Sequence, residues 1–119
     1  MPRRDWSIEF YRDNRGRSPV EEFIKGLDRQ TLSRVQRSVD LLEELGERLS
    51  MPLARRMAGY KFSELRVQAS GNNVRVFYFF VTGRRIVLLH AFLKKSRHTP
   101  RRELEIAARR LAEMVGESA

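Results

Sequence analysis

The residues of this chain best suited to chemistry are cations. Arg66 and Arg75 lie on two strand-like segments, and Lys94, Lys95, Arg97 and His98 follow a third. Guanidinium and ammonium groups hold phosphate and stabilise charge that develops on it. A neutral imidazole can move a proton. If the turn between the first two segments spans Ala69 to Asn72, Arg66 stands directly opposite Arg75 on one face. Like charges in directly paired positions are unfavourable unless a carboxylate or a bound anion sits between them. Glu64 is the obvious internal partner, and an ordinary solvated Glu–Arg strand face accounts for the same residues. Lys94 and Lys95 are neighbours, so on a strand only one can join that surface. His90 lies inside an apolar run and reads as a hydrogen-bonded sheet residue. Tyr60, Phe62, Phe77, Tyr78, Phe79 and Phe92 can stack on bases, but most read as core.

Other routes to catalysis lack their residues. The sequence has no cysteine and only two histidines, so no thiolate metal site is available and no cofactor is expected. No carboxylate dyad, Gly-rich phosphate loop or Ser/Cys nucleophile motif stands out. The tools are Arg, Lys and His, which suit phosphate chemistry. RNA carries its own nucleophile, the 2′-hydroxyl, so a small metal-free protein can cleave it by aligning that group with the adjacent phosphate.

These side chains must be held by a frame. The chain has 119 residues and reads as one domain, 1–119. Lys and Arg number 24 against 15 Asp and Glu, a net charge of +9, which favours a polyanionic partner. The first residues mix acids with bases and do not read as a secretory signal. No uncharged run reaches membrane-spanning length, so a cytoplasmic protein without membrane contact is expected.

Trp6 to Tyr11 alternates like a half-buried strand. Ser18-Pro19-Val20-Glu21 has the form of a capping box, opening a short helix that ends near Gly26. Asp28 caps a longer one, whose stripe is Leu32, Val35, Val39 and Leu42 and whose stop is Gly46. Leu49 to Tyr60, which contains Arg55 and Arg56, reads as a loop or a single helical turn. Three antiparallel strands follow: Phe62 to Gln68, Val74 to Val81 and Ile86 to Leu93. Thr99 as N-cap and Pro100 as first residue open a last helix to about Val115, with Leu104, Ala107, Ala108, Leu111 and Val115 inward and a frayed tail from Glu117 to Ala119. The order of elements predicts an α+β domain, one small antiparallel sheet with helices on one face.

The segments FSELRV, GNNVRVFYF and IVLLHAFLKKSRHTPRRELEIA resemble the phage-derived HigB-like toxins of the RelE/ParE superfamily of type II toxin–antitoxin systems. The early WSIEFY and SPVEEF segments extend the resemblance over most of the chain. It implies the RelE-like fold, with an N-terminal helical hairpin and a C-terminal helix on the sheet. It also implies a metal-independent endoribonuclease that cleaves mRNA on the ribosome, and a helix-turn-helix, HigA-like antitoxin as partner. By motif, Arg66, Arg75 and either Lys94 or Lys95 match basic positions of the RelE-type site; Arg66, Arg75, Lys94 and, in place of a tyrosine, His98 are taken as the catalytic candidates, and Lys95, Arg97, Glu64, Arg55 and Arg56 as RNA contacts. Two positions depart from the pattern of RelE. Glu64 stands where a second lysine is expected, and no tyrosine follows Tyr78, which leaves His98 or Glu64 for proton transfer. Within the same superfamily, ParE-like gyrase inhibitors and inactive antitoxin-binding remnants are the alternatives. Arg75→Ala is expected to keep the fold and lose cleavage.

Overall fold

Two side-chain caps set the first helices. In the computed structural model, which describes residues 6–118, the Ser18 hydroxyl accepts from the Glu21 N–H and Pro19 opens α1 (Pro19–Lys25). The Asp28 carboxylate accepts from the Thr31 N–H and opens α2 (Arg29–Leu45). Around these lie the strands β1 (Ser7–Phe10), β2 (Ala54–Arg56), β3 (Ser63–Ala69), β4 (Asn72–Val81) and β5 (Arg85–Leu93), and then α3 (Arg101–Ser118). The fold is α+β, and the five strands form one sheet in the order β1-β5-β4-β3-β2.

The central meander has the expected register. Ser70 and Gly71 both have positive φ, 51° and 77°, the requirement of a two-residue hairpin turn whose twist suits the flanking strands. That turn pairs Ala69 with Asn72 and so places Arg66 against Arg75. Asn72 then ties the hairpin tip to the start of α2, donating to the Asp28 carboxylate at 2.9 Å and the Thr31 hydroxyl at 3.1 Å.

Several expectations are corrected. The sheet is mixed, because β1 runs parallel to β5, with Ser7 against Arg85 and Phe10 against Leu88. Parallel neighbours are joined by long crossovers, so no local turn signal announces such a pair. The segment after Leu49 makes one helical turn, with the Leu53 and Ala54 N–H groups donating to the Ser50 carbonyl at 3.0 and 3.1 Å, but Ala54–Arg56 then forms a short edge strand on β3. Helices cover both faces of the sheet. Val20, Ile24, Val35 and Leu42 of α1 and α2 pack with Leu65, Val76 and Ile86 on one side. Ala107 and Leu111 of α3 pack with Phe77, Val87, Leu89 and Phe92 on the other. The near-continuous apolar runs of β4 and β5 are the mark of strands buried on two faces.

A bulge between β4 and β5 pairs Phe77 with His90 but Tyr78 with Leu88. Leu89 is the extra residue, so it and His90 both contact the α3 side. The last helix begins at Arg101, one residue after Pro100, and continues through Ser118, so the tail from Glu117 is helical up to Ala119, which lies outside the described residues. Val115 is 54% exposed; Met114 packs on the core in its stead. The reading of the extreme N-terminus falls partly on residues 1–5, also outside the described residues. Among the described residues no helix is long and apolar enough to cross a membrane.

Gly46, the C-cap of α2, has φ +53° and lies against the indole of Trp6, which a β-carbon would overlap. Gly59 also has positive φ, +84°, but open space around it. Gly59→Ala should therefore cost about 1–2 kcal/mol, the penalty of left-handed backbone alone. Gly46→Ala should cost that plus roughly 1–3 kcal/mol for displacing Trp6. Urea unfolding of both variants checks this, and equal losses would show that Trp6 does not lock against Gly46.

Candidate functional site

The site is built around one carboxylate. Glu64 lies in β3, between Leu65, which faces the α1–α2 core, and Ser63. Alternation turns Glu64 to the opposite face, together with Arg66. Cross-strand register adds Arg55 of β2, which pairs directly with Glu64, and Arg75 of β4, which pairs with Arg66. Glu64 Oε1 is 3.1 Å from Arg55 Nε and 4.0 Å from Arg66 Nε, and its Oε2 is 3.3 Å from Arg75 Nε. Three guanidinium groups thus converge on one carboxylate.

Their burial is graded. The Glu64 side chain is 0% exposed and Arg75 7%, whereas Arg66 is 31% and Arg55 46% exposed. A buried charge must be paired, and the arginines satisfy that need for Glu64. The cluster still carries two more positive charges than negative. Burial pushes the pKa of Arg75 down; Glu64 opposes this, and Arg66 and Arg55 add to it. Arg75 is further oriented by its Nη1, which donates to Asn73 Oδ1 at 2.6 Å. Arg66 Nη1 lies 3.7 Å from Met51 Sδ. Two of the closest buried atoms, Glu64 Oε2 and Arg75 Nε, face each other without hydrogen-bond geometry. Their attraction is therefore that of two charges rather than a directed bond.

The cluster opens into a cleft of about 590 Å³ that passes round the part of β3 left uncovered by β2. Arg66 and Arg75 form one wall, Arg34 and Arg37 of α2 another, and Pro52 and Leu53 a lip. The two α2 arginines lie off the Leu32, Val35, Val39 and Leu42 stripe, so the sequence marks them only as outward-facing. Nothing local shows that α2 lies along the open edge of β3, since that depends on the Asn72 link described above.

The remaining candidates are placed differently. Glu64, placed among the RNA contacts by the sequence, is fully buried and holds the arginines from beneath. Lys94 follows the parity of Phe92, the partner of Arg75, and is the lysine on the cluster's face. Its ammonium closes the following loop, donating to the carbonyls of Ser96 at 2.6 Å and Arg97 at 2.8 Å. Lys95, Arg97 and His98 are exposed around that loop, and the His98 carbonyl accepts from the Ser96 hydroxyl. Arg56 lines a second cleft with Lys61 and Tyr78. Burial pushes the Tyr78 hydroxyl up to about 12, too high for a base near neutrality.

His90 belongs to the support of α3. Its Nε2 is 2.6 Å from Glu103 Oε1, its Nδ1 3.3 Å from Arg110 Nη1, and its ring stacks on Phe92. Burial lowers its pKa, against the Glu103 hydrogen bond. Among the described residues no three His, Asp or Glu side chains gather as metal ligands would.

Glu64→Gln should destabilise the protein by about 3–5 kcal/mol, because it leaves Arg75 buried without its counter-charge. Arg55→Gln, at the exposed side, should cost about 1 kcal/mol or less. Inorganic phosphate should raise the Tm of Glu64→Gln more than that of the unaltered chain, since an anion can replace the lost carboxylate charge. Melting curves with and without phosphate check both, and a Glu64→Gln protein as stable as its parent would contradict the hub.

A family model described as "Phage derived protein Gp49-like (DUF891)" matches residues 22–112, a span that holds the whole cluster. No curated protein matches the chain.

Proposed function

This chain belongs to the phage-derived Gp49-like family, and we propose that it is the toxin of a type II toxin–antitoxin pair, built on the RelE-like layout, that cleaves mRNA during translation without a metal. The observation that carries this reading is the set of three guanidinium groups within 4.0 Å of one fully buried carboxylate, beside a basic cleft. Fixed cations with excess positive charge suit a reaction in which charge builds on a phosphate.

In the proposed reaction the 2′-hydroxyl of a ribose attacks the adjacent phosphorus. A new P–O2′ bond forms and the P–O5′ bond breaks, leaving a 2′,3′-cyclic phosphate and a 5′-hydroxyl. Arg66 faces the phosphate and stabilises its additional charge in the transition state. Arg75, buried on Glu64, acts as a positive wall that needs no reorganisation. Lys94 brings its charge to the same face, and Lys95, Arg97, Arg55 and Arg56 hold flanking phosphates. His98, exposed beyond the last strand, is assigned the proton transfer from the 2′-hydroxyl, and the departing 5′ oxygen takes its proton from water. A helix-turn-helix, HigA-like antitoxin with an acidic segment complements this surface by charge.

The structure changes which variant tests the idea. Arg75 is one half of a buried pair, so Arg75→Ala would disturb the fold as well as the site. Arg66 is the better choice, since it is partly exposed and lies 4.0 Å from Glu64. Brief induction of the chain in cells, followed by mapping of new RNA 5′ ends, should show 5′-hydroxyl ends within translated frames. With Arg66→Gln these should fall by about 10²-fold or more, the usual effect of losing one charge-stabilising donor. Growth arrest without such ends would overturn the nuclease reading and favour a gyrase-type inhibitor.

A further inference from the structure

The cleft has more positive charge than a single phosphate needs. Arg34 and Arg37 sit one helical turn apart on α2 and line the same space as Arg66 and Arg75, on the other side of the open β3 edge. Their placement is fixed by the fold. Asp28 caps α2 and also accepts from Asn72 at the β3–β4 tip, so the helix start is tied to the hairpin. Arg34 Nη2 also reaches the Gln68 carbonyl at 3.4 Å, on the part of β3 that β2 does not cover. Both arginines are exposed, and neither is needed to balance Glu64.

The lip of the cleft is apolar. Pro52 and Leu53 line it, and Met51 adjoins them with its sulfur 3.7 Å from Arg66 Nη1; Met51 and Leu53 are 56% and 41% exposed. Gln68, Asn73 and Ser38 add amide and hydroxyl groups to the walls. Cations at two places, an apolar ledge beside them and neutral hydrogen-bonding groups between match the repeating chemistry of a single-stranded polynucleotide: phosphate, base, phosphate. An acidic peptide would use the cations but leave the ledge without a stacking partner.

We propose that Arg34 and Arg37 form a second phosphate subsite, and that the cleft round the open edge of β3 is a track for single-stranded RNA, with a base resting on Met51, Pro52 and Leu53. The proposal rests on the nuclease reading for the identity of the first phosphate site, but its binding step can be measured apart from cleavage.

The test uses the full chain and a fluorescent 2′-O-methyl oligonucleotide, which binds but has no free 2′-hydroxyl to react. Affinity is measured by anisotropy across a series of salt concentrations. For the Arg34→Gln/Arg37→Gln variant, the slope of log affinity against log salt should become shallower by about 0.7 to 1.4, one or two phosphate contacts on a single strand. Leu53→Ser should weaken binding without changing the slope, since it removes a stacking surface and no charge. Circular dichroism and Tm confirm that both variants fold, as their exposed positions predict.

An unchanged slope in the double arginine variant would overturn the second subsite, while leaving the nuclease reading intact if Arg66→Gln still abolishes cleavage. Binding of labelled poly-glutamate with no affinity for the oligonucleotide would assign the cleft to an acidic protein segment and overturn the track. Loss of cellular cleavage sites with normal oligonucleotide binding would instead overturn the nuclease reading alone.

Discussion

A carboxylate with no exposed surface is the constraint on which the rest of this structure depends. Glu64 can be buried only if cations reach it, and those cations come from three different strands. Arg55 requires the short edge strand β2 to lie in register with β3. Arg75 requires the β3–β4 hairpin to close with a two-residue turn. A slip of one residue in either pairing would turn the arginine to the wrong face and leave the carboxylate alone. The same residue therefore specifies the local register and fixes the positive surface above it.

That surface is available because of how the helices divide. With α1 and α2 on one face and α3 on the other, both sides of β4 and β5 are buried. The α3 side is closed at one end by His90, Glu103 and Arg110 and by the aromatic group of Phe62, Phe77 and Phe92. The arginine cluster occupies the other end of that face, near the edge where β2 stops. There the sheet has neither a helix above it nor a full strand beside it. A partly uncovered edge is usually a liability for a protein, because its backbone groups invite pairing. Here it is bordered by arginines, which discourage the approach of another strand and attract anions.

The proposed nuclease and the proposed RNA track share one physical basis. Charges held by the fold lose little by way of reorganisation when a phosphate arrives, and low-dielectric walls strengthen their field. Glu64 reduces the repulsion among the arginines without cancelling their excess charge. The α2 arginines extend the same field along the cleft, away from the reacting position.

Much of this was legible in the sequence. The caps at Ser18 and Asp28, the stop at Gly46 and the turn at Ser70-Gly71 are local chemistry, and each lies where its residue types predict. The pairing of Arg66 with Arg75 followed from that turn, and so did the need for Glu64. The apolar runs of β4 and β5 carried the signal for a sheet covered on both faces, although the expectation was helices on one. Val115 fits the helical stripe by spacing, but the packing of α3 puts Met114 on the core instead. Tertiary structure alone decided the rest. The parallel pairing of β1 with β5, the edge strand at Arg55 and the position of Arg34 and Arg37 beside the site all join segments far apart in the chain. The sequence by itself determined which residues turn, cap and alternate, because those preferences act over a few neighbouring residues. Only the fold determined which charges meet, because a contact between distant segments depends on the packing of everything between them.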